Sequence, residues 1–93
     1  MIKYPYSKPE VTKSDIQEVE KVLKGGYLSQ GEKLKDFEFQ LMKEFKSKNI
    51  IVCNSGTAAL HLTYMALGLG PNAGLLTSPI TFLATANAAK MCN

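Results

Sequence analysis

Asn49–Gly70, NIIVCNSGTAALHLTYMALGLG, decides how the whole chain is read. It opens on Ile50-Ile51-Val52, a compact β-branched run ending in Cys53, the pattern of a strand buried on both faces of a parallel sheet. The run breaks at Asn54-Ser55-Gly56. From Thr57 the residues tolerate a helix, and the helix stops at Gly68 and Gly70 with Pro71 behind them. Strand, polar turn and helix in that order aim the helix's unpaired N–H groups out of the carboxyl end of the strand, where an anion can sit. Gly56 has no side chain to block close approach, and Ser55 and Thr57 each add a hydroxyl. The same residues also serve as an ordinary helix cap, since Asn, Ser and Thr are preferred there.

Beyond this stretch, Gly68–Gly74 is a Gly-, Pro- and Asn-rich connection. Leu75-Leu76-Thr77 then stands where a second parallel strand belongs, completing a right-handed βαβ unit. Ser78-Pro79 closes that strand. From Phe82 the Ala-rich run LATANAAKMC reads as a helix with Thr81 as a cap, continuing to the end of the chain. That helix has no stop signal, and a two-strand unit leaves both sheet edges open, so the chain reads as the start of a longer one.

On the other side, residues 1–12 contain Pro5, Pro9 and two Tyr without helical period, and read as an extended arm. Ser14-Asp15-Ile16-Gln17 fits a capping box, opening a helix with Ile16, Val19, Val22 and Leu23 on its apolar face and Gly25-Gly26 at its end. Tyr27–Gly31 is a short connection. A second helix over Glu32–Lys46 carries Leu34, Phe37, Leu41 and Phe45 on one face, the expected inward stripe of a surface helix.

Composition bounds the function. A net charge of +3 from 11 lysines and no arginine over 93 residues is a solvated surface rather than a nucleic-acid groove, which favours Arg forks. Cys53 and Cys92 lack metal-like spacing, which fits a reduced, cytoplasmic setting. The N-terminus has no signal-peptide core, and no apolar run reaches transmembrane length, so no membrane partner is expected. GxGxxG after a strand, Walker A and HExxH are absent. His61 stands in the central helix without a partner at ligand spacing, and no metal site is expected.

The PYSKP arm, LSQG at Leu28–Gly31, the helix ending KEF, the NSGTAALHL turn and SPITFLATANA at Ser78–Ala88, in this order and spacing, resemble the DegT/StrS-type nucleotide-sugar aminotransferases. These are pyridoxal-phosphate (PLP) enzymes. Within the family, the SPITFLATANA block and the Tyr-Ser pair near the start look most like the pseudaminic acid branch, which aminates a UDP-linked 4-keto-6-deoxy-N-acetylhexosamine from glutamate. The resemblance implies an α/β fold: the N-terminal part of a fold type I aminotransferase large domain, with an extended arm, two helices and the βαβ unit. Residues 1–31 are then the arm, first helix and substrate-lining connection, and residues 32–93 the start of the PLP-binding domain.

The resemblance also assigns roles. Ser55, Gly56 and Thr57 hold the cofactor phosphate, and Phe82 stacks on its ring. Tyr6, Gly26, Tyr27, Leu28 and Ser29 line the UDP-sugar site. The Schiff-base lysine and the carboxylate that keeps the pyridine nitrogen protonated lie beyond Asn93, so no catalytic residue is assigned here and the 93-residue chain alone is expected to be inactive. The family works as homodimers. Two other readings stay open: a non-catalytic module binding a phosphorylated ligand at Gly56–Thr57, and a sugar dehydratase of the same superfamily with histidine in place of the lysine.

Overall fold

The structure, a computed structural model, describes residues 6–92. The part of the expected arm before Tyr6 lies outside the described residues, as does Asn93. Four helices are present among them: α1 (Lys13–Lys24), α2 (Glu32–Phe45), α3 (Gly56–Ala66) and α4 (Ala84–Lys90). The chain divides into two compact units after Lys48.

In the first unit, α1 starts two residues earlier than the Ser14 pattern implies. Thr12 is the N-cap: its hydroxyl accepts from the Asp15 amide at 3.2 Å, while Asp15 Oδ2 accepts from the Thr12 amide at 2.7 Å. The sequence offers two overlapping boxes, Thr12–Asp15 and Ser14–Gln17. The one with an ionised carboxylate prevails, because a charged acceptor binds the amide more strongly and favours the positive end of the helix. Glu20–Lys24 at 2.7 Å adds an ordinary i,i+4 surface pair. Gly26, at φ +82°, ends the turn as expected.

Gly31 is the N-cap of α2, and at the other end Lys46 takes the left-handed conformation at φ +50°. There the Ser47 amide reaches back to the Met42 carbonyl at 3.1 Å, which is a Schellman closure with lysine where glycine is usual. An L-residue in this region carries a steric cost that glycine does not. Lys46→Gly is therefore expected to stabilise the end of α2 by about 1 kcal/mol, read as greater amide protection over the last turn of α2 by hydrogen exchange.

In the second unit, Ser55 caps α3, its Oγ accepting from the Ala58 amide at 3.1 Å. The helix stops in a second Schellman motif: Gly68 stands at φ +72°, its amide reaches Met65, and the Leu69 amide reaches Tyr64 at 2.9 Å. The Gly68 stop thus follows the sequence. α4 packs on α3 through small side chains, with Ala84 and Ala88 buried and the Tyr64 hydroxyl donating to the Thr85 carbonyl at 3.3 Å. It begins after Leu83 without a side-chain cap; the Thr81 hydroxyl instead meets that of Thr85 at 3.1 Å. It ends at Lys90 in a turn over Met91 and Cys92 rather than running on. Between Lys48 and Lys90 the chain contains no Asp, Glu, Lys or Arg.

The expected βαβ unit is not formed. Residues 50–53 and 75–77 are irregular, and no strand occurs among the described residues. A strand is completed only by a ladder with a neighbouring strand, and among the described residues no neighbouring strand is present. The burial expected of them fails with the ladder: Ile51 is 83% exposed and Leu76 99%. The apolar faces of the first two helices are covered only in part: Val22 and Leu41 are half-buried, while Ile16, Val19, Leu23, Leu34, Phe37 and Phe45 are exposed rather than packed inward. With so much apolar surface in water, the chain on its own is expected to bind the dye ANS strongly and to melt without a sharp cooperative transition. Dye titration beside a calorimetric scan checks this.

Candidate functional site

The helix start that carries the anion-site expectation is built from three adjacent residues. Ser55 is extended (φ −161°, ψ 158°), and its side chain and carbonyl take up the Ala58 and Ala59 amides. The amides of Gly56 and Thr57 precede any carbonyl that the helix can offer them, and they have no acceptor among the described residues. A Cβ built on Gly56 meets no heavy atom within 4 Å, so the space outside these donors is open. Ser55 uses its oxygen as an acceptor and keeps its O–H free to donate. Two free amides, two hydroxyls and the positive end of α3 form a donor set that fits a phosphate.

Phe82 stands one residue before Leu83, the N-cap of α4, and is 79% exposed. Its carbonyl accepts from the Thr85 amide at 3.0 Å, which ties the residue to the first turn of a helix that packs on α3. Its ring is bare, and no hydrogen bond links it to the Ser55–Thr57 turn among the described residues. Cys53, expected in a buried strand, is exposed and bonds through its thiol to the Ser55 carbonyl at 3.4 Å. His61 is half-buried on α3. Among the described residues no cluster of His, Cys, Asp or Glu has metal-binding geometry.

The substrate-lining segment lies in the first unit. Tyr27 and Leu28 line a cleft of ≈ 910 Å³ together with Gln30, Gly31, Lys21 and Lys33. Gly26 and Ser29 are not on its wall; Gly26 supplies the left-handed turn that leads into it. Tyr6 is fully exposed and stands apart from this cleft. Reading from sequence missed Gln30 and Gly31, which ended the recognised LSQG segment without an assigned role.

One ion-pair cluster ties α1 to α2 beside the cleft. Glu18 takes Lys21 at 2.5 Å and Lys33 at 3.0 Å. The Lys21 bond, followed by that of Lys33, lowers the Glu18 carboxyl from the ordinary 4.5 to about 2, and the same contact raises Lys33. The group is lowered on folding, so its contribution is complete above pH 4.5 and is lost as pH falls through about 2. Because all three side chains lie in water, that contribution is small. The Glu18 carboxyl resonance is expected to titrate near pH 2, and Lys33→Ala to move its midpoint upward; carbon-detected NMR checks both.

Among the described residues no helix is long and apolar enough to cross a membrane. A sequence profile of the DegT/DnrJ/EryC1/StrS aminotransferase family matches residues 9–93. The spore coat polysaccharide biosynthesis protein SpsC of Bacillus subtilis is 45% identical over 83 residues, 89% of this chain and 21% of that protein. Two proteins named UDP-4-amino-4,6-dideoxy-N-acetyl-beta-L-altrosamine transaminase, from Campylobacter jejuni serotypes O:2 and O:23/36, are each 45% identical, over 92% and 90% of this chain and 23% and 22% of their own lengths. The chain thus spans about a fifth of the length of these relatives. No solved structure matches it. With nearly all of the described residues inside the matched region, the chain belongs to the DegT/DnrJ/EryC1/StrS aminotransferase family.

Proposed function

We propose that this chain is the phosphate- and ring-holding part of a PLP-dependent sugar-nucleotide aminotransferase. The whole enzyme transfers an amino group from glutamate to a UDP-linked 4-keto-6-deoxy-N-acetylhexosamine. The observation that carries this reading is the start of α3: free amides at Gly56 and Thr57, a hydroxyl on either side, and open space where a glycine side chain is missing. The two transaminase-named relatives support the choice of substrate class.

When bound, PLP would supply an electron-accepting ring that carries the amino group between donor and acceptor. On the side of this chain, Gly56 and Thr57 hold the phosphate through their amides, with the Ser55 and Thr57 hydroxyls donating beside them. Phe82 offers its exposed ring to one face of the pyridine. Tyr27 and Leu28 bound the sugar-nucleotide side, with Tyr6, Gly26 and Ser29 contributing from the arm and the connection. The catalytic lysine and the ring-nitrogen carboxylate come from the remaining four-fifths of the enzyme.

In that whole enzyme residues 50–53 and 75–77 are the parallel strands of a βαβ unit, residues 1–31 form the arm, first helix and substrate-lining connection, and residues 32–93 open the large domain. The enzyme works as a cytoplasmic homodimer. The test is direct: the complete gene product is incubated with glutamate and the UDP-linked 4-keto sugar, and the amino-sugar product is followed by mass. Product that depends on PLP is expected. Absence of product from folded, PLP-loaded protein, or histidine at the downstream lysine position, overturns the reading.

A further inference from the structure

Gly31 has no conformational need to be glycine. Its backbone is ordinary (φ −77°, ψ 178°), and as the N-cap of α2 it makes no side-chain hydrogen bond. Ser, Asp or Asn would cap this helix better. The reason for glycine is instead a close approach: a Cβ at position 31 would stand 3.1 Å from the Tyr27 carbonyl oxygen and 3.4 Å from Tyr27 Cβ. The chain is folded back onto Tyr27 by Gln30, a non-glycine residue at φ +51°, and all three residues line the same cleft. Tyr27 itself is 81% exposed, so its own packing does not fix where the ring stands.

We infer that Gly31 is a positioning residue for substrate: by letting the connection close on the Tyr27 backbone, it sets the Tyr27 ring on the cleft wall as a platform for the flat part of a sugar nucleotide. This rests on the proposed sugar-nucleotide reading of the connection. The strain at Gln30 and the forgone cap at Gly31 are both local costs, and the closed connection is what they jointly produce. An aromatic ring carried from a fixed backbone position is a ready surface for a base or the apolar face of a sugar, because both present a flat, polarisable face.

The test uses the whole enzyme and UDP-N-acetylglucosamine, which has the nucleotide and the N-acetyl group but no keto group and so binds without turnover. Tyr27→Ala is expected to raise its dissociation constant about tenfold. Gly31→Ser restores a preferred cap, and so keeps or improves α2, yet pushes on Tyr27; it is expected to raise the constant several-fold, with PLP affinity unchanged. The double variant is expected to bind no worse than Tyr27→Ala alone, since Gly31 acts through that ring. Gly31→Ser binding like the parent, or adding its full effect in the Tyr27→Ala background, overturns the positioning role. Tyr27→Ala binding like the parent overturns the sugar-nucleotide reading itself, and the positioning role with it.

Discussion

Replacing Gly56 by valine in the whole enzyme is expected to lower PLP affinity by roughly one to two tenfold steps, at about 1.4 kcal/mol per step. The protein side of this change is quiet. Gly56 is already helical, and an added Cβ meets no heavy atom within 4 Å, so a side chain can start there without straining the backbone. The cost falls on the anion, which the branched side chain holds away from the Gly56 and Thr57 amides. Each charge-assisted hydrogen bond so lost is worth about 1.5–3 kcal/mol. Gly56→Ala is the milder step. Thr57→Val keeps the shape and removes one hydroxyl, so it should weaken PLP less, while Phe82→Ala should disturb the ring's spectrum and leave phosphate capture in place. Absorbance titration of the folded variants beside the parent decides the matter, and unchanged affinity in Gly56→Val makes the turn a plain helix cap.

Ala88→Leu is expected to detach α4 from α3. Ala88 is fully enclosed at 0% exposure, and Ala84 is the other buried hydrophobic residue among those described. A seam of this kind works only because its side chains are small, and three extra carbons at its centre force the helices apart at a cost of about 1–3 kcal/mol. The same displacement breaks the hydrogen bond from the Tyr64 hydroxyl to the Thr85 carbonyl, 3.3 Å long, which crosses the two helices. Ala86→Leu is the matched control, on the same helix with a similar propensity change but an exposed position, where the effect should stay within about 0.5 kcal/mol. Hydrogen exchange of the α4 amides should show protection lost in the first variant and kept in the second.

What was legible in the sequence follows the range of the interactions involved. The helices were readable because their signals are local: Gly25-Gly26 and Gly68 end α1 and α3 where their sequence says, and Ser55 caps α3. The start of α1 was misplaced by two residues because Thr12 and Ser14 both head a capping pattern and only the charge on Asp15 separates them. Residues 50–53 and 75–77 have strand composition without strand structure, since a ladder depends on neighbours far away in sequence. The apolar stripes of α1 and α2 were visible, but a stripe does not reveal what covers it. At the site, Ser55, Gly56 and Thr57 come together because they are consecutive. Gly31 escaped notice, although a glycine at an N-cap, where serine or aspartate is the better choice, was a signal in plain view.

The start of α3 has a consequence for how an anion is met there. The donors are amides and hydroxyls, and residues 49–89 contain no Asp, Glu, Lys or Arg. Such dipoles act at hydrogen-bond range, while long-range attraction of ligands comes from net charge and is screened over about 10 Å at 0.1 M ionic strength. On the proposed reading, this segment does little to draw a phosphate in from a distance and much to hold it once in place. Its contribution therefore lies in the rate of release, and added salt should alter that contribution far less than it would alter a lysine-lined site.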